Sequence, residues 1–303
     1  MGVYIGIDLG GTHIKVTAVD REGTVRARVQ VETRDFIADA GEKTQYWLGA
    51  IERAVEEVRE ESGRDLDGMG VAAPGLVSRD ERVIQAMPGR LQGLEGLDWT
   101  RALGGTEMIP VMNDAQAALL AENWIGAAAG ARDAFLLTLG TGVGGAVLSE
   151  GRILRGRLGR AGHLGHLSLD LDGRPDICGT PGSLEWLVGQ ETLPERSSRR
   201  FQTYEQLLEA YRGGDVVATE VWLRSVKSLA AGIASLINVL DPEVVLLGGG
   251  ISAAEEIDAP LSEFLDAFEW RPTGHTVPVR SAELGTYGGA IGAARRAMTS
   301  KHE

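Results

Sequence analysis

Residues 5–19 read Ile-Gly-Ile-Asp-Leu-Gly-Gly-Thr-His-Ile-Lys-Val-Thr-Ala-Val. Two β-rich apolar runs flank a turn built from Asp8, Gly10, Gly11 and Thr12. The spacing predicts a strand over 3–7, a tight turn, and a half-buried alternating strand over 14–19. The pattern returns further along. Residues 134–139 are Ala-Phe-Leu-Leu-Thr-Leu, Gly140-Thr141-Gly142-Val143 follows as a turn, and 144–148 form the return strand. Because the turn chemistry repeats along with the strands, the two hairpins read as an internal duplication.

Working outward, a third strand is expected over 24–31 and a helix over 42–61, where Trp47, Ile51, Val55 and Val58 share one face. Short buried strands are expected at 69–73 and 109–112, with a helix over 115–124. In the second half, helices are expected over 204–211, 216–240, 259–268 and 288–298, and a buried strand over 244–247 runs into Gly248-Gly249-Gly250. Two α/β units, each opening with a hairpin, predict two lobes with an interdomain cleft, the usual place for a ligand. The boundaries expected are 1–114 plus 289–303 for the N-terminal lobe and 115–288 for the C-terminal lobe.

The chain has 303 residues, enough for two domains. Thirty Lys and Arg against 43 Asp and Glu give a net charge of −13, which argues against nucleic acid as the main partner. Cys178 is the single cysteine, so no intramolecular disulfide forms. With no evident signal peptide, the expected compartment is the cytoplasm. No apolar run approaches the roughly 20 residues of a membrane span. Glycine is the outlier: 42 residues, about twice the average share. They cluster at 10–11, 140–145, 248–250 and 288–289, several at strand ends, which suggests a ligand held largely by main chain.

Common nucleotide signatures are missing. No Gly-Lys-Ser/Thr occurs, which excludes a Walker A loop. Residues 140–145 miss the dinucleotide fingerprint by one place and lead into a strand. What remains is specific. Asp8 stands at a strand end beside a glycine hairpin, where main-chain amides cradle phosphate oxygens and Thr12 adds a hydroxyl. Asp8 also suits Mg²⁺, which takes one or two carboxylates alongside phosphates and water. The plain alternative is a turn that uses Asp and Gly for their conformations. Asn113-Asp114 falls at a strand-to-helix junction, where one of them suits an N-cap and Asp114 suits a base kept ionised by the helix end. His163 and His166 lie three apart in a Gly-rich segment, with Cys178 and Glu185 following.

Together these residues resemble the ROK family, within the actin-like, sugar-kinase and Hsp70-like ATPase superfamily. The first phosphate motif is matched by Asp8-Leu-Gly-Gly-Thr-His-Ile-Lys and the second by Leu139-Gly-Thr-Gly-Val-Gly-Gly. Val244-Val-Leu-Leu-Gly-Gly-Gly-Ile matches the adenosine motif, and Val71-Ala-Ala-Pro-Gly-Leu-Val a family strand and turn. The resemblance implies a two-lobed actin-like (ribonuclease H-like) α/β fold and an ATP-dependent sugar kinase, glucokinase-like, acting on the 6-hydroxyl of a hexose. It implies Asp114 as catalytic base and Asn113, His163, His166 and Glu185 as sugar contacts. Asp8 would position Mg²⁺ through water. Gly10, Gly11, Thr12, Gly140, Thr141 and Gly142 would wrap phosphates, and Gly249 and Gly250 would line adenosine. A homodimer is implied on the same ground.

Three departures stand out. The family's Glu-x-Gly-His reads His163-Leu-Gly-His166, so an acid that accepts at two oxygens is replaced by an imidazole. The zinc motif Cys-x-Cys-Gly-x-x-Gly-Cys-x-Glu reads Asp176-Ile-Cys178-Gly-Thr-Pro-Gly-Ser183-Leu-Glu185, with two thiolates lost, and the loop is expected to fold without metal. Met87-Pro-Gly-Arg-Leu-Gln-Gly-Leu-Glu-Gly departs from the usual Asn-Leu-Pro-Gly-Trp run. Other readings are a kinase for an N-acetylhexosamine, ketose or cyclitol, and a non-catalytic sugar-binding regulatory protein. A transcription regulator of the family would need a helix-turn-helix before the first strand, for which a start at Val3 leaves no room.

Overall fold

A computed structural model describes residues 2–33, 40–87 and 91–300; Pro88, Gly89 and Arg90 of the departing run lie outside them. In chain order the first elements are β1 (Val3–Leu9), β2 (His13–Val19), β3 (Val25–Glu32), α1 (Ala40–Ser62) and β4 (Leu66–Ala73). Then come β5 (Leu76–Val77), β6 (Ile84–Ala86), α2 (Trp99–Ala102), β7 (Val111–Asn113) and α3 (Asp114–Ile125). The second half begins with β8 (Ala134–Leu139), β9 (Val143–Ser149), β10 (Arg152–Ile153), α4 (Leu184–Val188), α5 (Leu193–Arg196) and α6 (Tyr204–Arg212). It continues through α7 (Val216–Leu240), β11 (Val244–Gly248), α8 (Asp258–Phe268), β12 (Val279–Ser281) and α9 (Gly288–Ser300).

The duplication read from the hairpins is visible in the strand order. One sheet runs β3-β2-β1-β4-β7 and the other β10-β9-β8-β11-β12. In each, an antiparallel hairpin joins its first strand to a parallel neighbour: β1 to β4, and β8 to β11. The central β1 is buried almost throughout, as a strand covered on both faces must be. β3, at the sheet's edge, alternates buried and exposed positions over much of its length.

The chain divides into two compact units: Met1–Gly130, Ile153–Ala161 and Glu283–Glu303 form the first, and Ala131–Arg152 with Gly162–Ala282 the second. This corrects the boundary expected at 114/115 and the one at 288/289. α3 belongs with the first unit because it packs against α9 at backbone contact: a Cβ on Gly292 would lie 1.8 Å from the Ala117 carbonyl oxygen. α9 is seated just as closely on the sheet, where a Cβ on Gly6 would lie 1.7 Å from the Ala290 oxygen. No other residue fits at these contacts, so the small-residue character of α9 is a packing requirement.

The buried Glu122 of α3 fixes this boundary further. One carboxylate oxygen accepts from Ala127 N at 2.8 Å and the other from Leu284 N at 2.8 Å. The segments where the chain leaves and re-enters the first unit are thus tied to one side chain. Residues 153–161 return to the first unit through Arg155, which pairs with buried Glu81; Arg296 of α9 pairs with the same carboxylate at 2.8 Å.

The first unit's core gathers Ile5, Ile7, Ile14, Trp47, Trp99 and Val111. The second unit's core gathers Phe135, Leu137, Leu184, Trp222, Ile233 and Val245. α7 is long and apolar enough to cross a membrane by length and composition, but eleven of its residues, Trp222 and Ile233 among them, are buried within the protein. It ends at Asp241-Pro242, where proline cannot continue a helix.

Candidate active site

In parallel α/β sheets ligands bind beyond the carboxyl ends of the strands. The first unit collects its polar groups there. Asp8 is the penultimate residue of β1, beside Ala72 of β4, and Ala73 of β4 stands opposite Asn113 of β7. The Asp8 side chain is 14% exposed and its nearest cation, Lys15 of β2, is 3.9 Å away. Burial pushes its pKa up to about 7; Lys15 opposes the shift and the negative charge of Asp114 adds to it. A Cβ on Gly289 would lie 2.9 Å from the Asp8 carboxyl carbon, so glycine here lets the start of α9 close on the carboxylate.

The β1–β2 turn is fixed by main chain. Gly10 N donates to the His13 carbonyl at 3.1 Å, and Thr33 reaches in from beyond β3, donating through its hydroxyl to the Gly10 carbonyl at 2.6 Å. Thr12 is exposed at the tip.

The cap that the sequence left open between Asn113 and Asp114 falls to Asn113. Asn113 is the N-cap of α3: its side-chain oxygen accepts from Ala115 N at 3.0 Å and Gln116 N at 3.3 Å, and its amide donates to the Gly75 carbonyl at 3.3 Å. Asp114 is the first residue of the helix and is exposed, with Ala115 N donating to Oδ1 at 2.8 Å. The cap thus points the carboxylate to solvent at the positive end of a helix dipole.

The second unit repeats the glycine turn without the acid. Gly140 N donates to the Gly142 carbonyl at 3.0 Å, and Gln190 N and Glu191 N donate to the carbonyls of Gly140 and Thr141 at 3.0 and 2.9 Å. Glu185 of α4 lies against this turn, with Oε2 accepting from Val143 N at 3.0 Å. Gly249 follows β11 with φ +89°, and a Cβ there would lie 2.3 Å from the Leu139 carbonyl oxygen. Gly249, in the run matched to the adenosine motif, therefore touches the strand end from which the second glycine turn springs. Gly250 has open space around it.

His163 caps the start of one 3-10 turn, Leu164–His166, and His166 ends it. His166 Nδ1 lies 2.8 Å from Asp176 Oδ2. With Cys178 these two place one donor atom each within 4.8 Å of one another. A closed zinc site takes four ligands, normally thiolate and imidazole. Where the family motif has its last thiolate stands Ser183, whose oxygen accepts from Trp186 N at 3.1 Å and whose proton goes to Asp176. Desolvation, then the charges of Asp176 and Glu185, push the Cys178 thiol above its ordinary value. The donor set does not fit a structural zinc.

Sequence reasoning missed Asp176 as a partner of His166, Gly289 against Asp8, Thr33 under the first turn and Lys15 as the counter-charge. Gly289 had a signal, its place in a glycine cluster; Thr33 had none, being distant in the chain from what it holds.

Two duplicated α/β units of this strand order, each with a glycine turn after its first strand, define the actin-like ATPase fold. The ROK family model matches residues 4–299. A glucokinase from Thermotoga maritima is 31% identical over 96% of this chain and 95% of its own length. A ROK hexokinase from Thermus thermophilus superposes with a TM-score of 0.84 at 32% identity, covering 99% of each chain. A ROK glucokinase from Streptomyces griseus, solved with glucose and AMPPNP, gives 0.78 at 29% identity over 98% of this chain and 100% of that one. The chain belongs to the ROK family and is an ATP-dependent sugar kinase.

Proposed function

We propose that this kinase transfers the γ-phosphoryl group of ATP to the 6-hydroxyl of a hexose, with Asp114 as base. The observation that carries this reading is the placement of Asp114: an exposed carboxylate on the first turn of α3, close enough to buried Asp8 to raise its pKa. The hydroxyl oxygen forms a bond to the γ-phosphorus, the bond to the β,γ-bridging oxygen breaks, ADP leaves, and Asp114 takes the hydroxyl proton. Phosphoryl transfer has a loose transition state, so a modest base in the right place suffices.

Within the first unit the residues assigned by the family resemblance are Asp114, Asn113 and the Gly10-Gly11-Thr12 turn. Within the second they are Gly140, Thr141 and Gly142 for phosphates, Gly249 and Gly250 for adenosine, and Glu185, His166 and His163 for the sugar. Asn113 spends its oxygen on the helix cap, which leaves an amide hydrogen for a sugar oxygen. Asp8 fits a hydrated Mg²⁺, since among the described residues its desolvated carboxylate pairs with Lys15 alone, at 3.9 Å. When bound, the cation neutralises charge on the phosphates.

The test is ADP release from Mg-ATP across hexoses, N-acetylhexosamines, ketoses and inositols, with Asp114→Asn as control. Turnover with a hexose, lost in the control, and a 6-phosphate product support the reading. A different acceptor or phosphorylation site overturns it. The second reading, a non-glucose acceptor, is favoured by one observation: His163 stands where the family resemblance puts a glutamate, so the hydroxyl pattern read there changes.

The Glu185 contact gives a further check. A Cβ on Gly142 would lie 2.3 Å from Glu185 Oε2, which displaces that side chain from Val143 N. A hydrogen bond to a charged group is worth about 1.5–3 kcal/mol. Gly142→Ala is expected to raise the acceptor KM about 10- to 100-fold in steady-state kinetics, with the protein still folded by circular dichroism.

A further inference from the structure

Residues 168–183 fold around one carboxylate. Short bridges tie Ser168 to Ser183 and Pro175 to Pro181, and Leu169 N donates to the Gly182 carbonyl at 2.9 Å. Inside this loop the Asp176 side chain is fully buried. Its Oδ1 accepts from Cys178 N and Thr180 N, both at 2.9 Å. Its Oδ2 meets His166 Nδ1 at 2.8 Å, and the Ser183 hydroxyl donates to the same carboxylate. Four donors from four residues converge on Asp176, which is what a central cation does with four acceptors, charges reversed.

The same contact decides the histidine. A carboxylate only accepts hydrogen bonds, so a His166 ring that bears one proton carries it on Nδ1. Nε2 then bears a lone pair. About a third of the His166 side chain is exposed. A ring so fixed offers a hydrogen-bond acceptor to a hydroxyl and cannot, in this tautomer, donate from Nε2. Residues that lock a functional imidazole in this way commonly account for 10- to 100-fold in affinity or activity when removed from metal sites.

We propose that Asp176 is a positioning residue that stands in for a structural metal: it organises the 168–183 loop and holds His166 with Nε2 as the acceptor of a sugar hydroxyl. The substrate end of this inference rests on the sugar-kinase assignment of His166. The loop and tautomer do not.

Three readouts test it. First, protein purified without added metal is measured for zinc by inductively coupled plasma mass spectrometry and melted with and without chelator. Zinc far below one per chain and an unchanged Tm are expected; stoichiometric zinc, or a melt that falls with chelator, overturns the proposal. Secondly, long-range ¹H–¹⁵N spectra of the wild-type imidazoles, with His166 assigned by H166Q, should show the Nδ1–H tautomer; an Nε2–H tautomer sinks it. Thirdly, Asp176→Asn offers an amide where the carboxylate was, and zinc addition should not restore it. Its acceptor KM is expected to rise about tenfold or more with the ATP KM unchanged and Asp176→Glu partly restoring it. An unchanged acceptor KM in folded D176N overturns the positioning role. If wild-type protein phosphorylates no hexose, the hexose reading fails alone, and the first two readouts still decide Asp176.

Discussion

Asp114→Asn is expected to lower kcat by about 10²–10⁴-fold, the share that a positioned base contributes to proton transfer, while ATP affinity measured by calorimetry should stay near that of the wild type. The substitution is close to isosteric. The amide oxygen keeps the acceptor that Ala115 N reaches at 2.8 Å, so the start of α3 is retained. The Asn113 cap is untouched. What disappears is the ability to take the hydroxyl proton, together with one negative charge near Asp8. Because the Asp114 charge contributes to the raised pKa of Asp8, the variant should also bring Asp8 down towards its ordinary value. A variant that keeps more than a small fraction of the wild-type rate removes Asp114 from the role of base.

Much of this site was legible in the chain because hairpins, caps and glycine turns are local. The turn at Asp8-Leu-Gly-Gly-Thr announces itself by its flanking strands, and its echo at Leu139-Gly-Thr-Gly announces the duplication. Asn113 and Asp114 are ambiguous in sequence, since Asn and Asp serve caps and catalysis alike. Only the hydrogen bonds show that Asn113 makes the cap. What was not legible is non-local. The first unit keeps α3 because Gly292 lets it reach α9, some 170 residues away in the chain, and no periodicity in 115–124 carries that information. Likewise β10 is two residues long, too short for a pattern, yet it occupies the place in the second sheet that β3 fills in the first. The zinc-motif departures were readable residue by residue, but the convergence of four donors on Asp176 depends on how the loop closes.

Asp8→Asn is expected to make the ligand-free protein more stable at pH 8 while removing the carboxylate proposed to hold magnesium. The sign follows from the direction of the shift. The folded pKa is about 7 against an ordinary 3.8, so between those values the folded state binds more protons than the unfolded one. Stability therefore falls as pH rises through this window and levels off above about 7. One unit is worth about 1.4 kcal/mol, so ionising Asp8 costs the native state up to about 4 kcal/mol. Asparagine bears no such cost. In urea unfolding with chelator present, the advantage of D8N over wild type should grow by about 2–3 kcal/mol between pH 5 and pH 8. Parallel stability curves for the two proteins would contradict the placement of a desolvated carboxylate at this strand end. A buried acid held so far from its preferred charge, with Lys15 at 3.9 Å as its one cation among the described residues, is a site short of positive charge. On the proposed reading a cation carried by the phosphates would stabilise the ionised form, so the instability of the empty protein and the affinity of the loaded one would come from the same carboxylate.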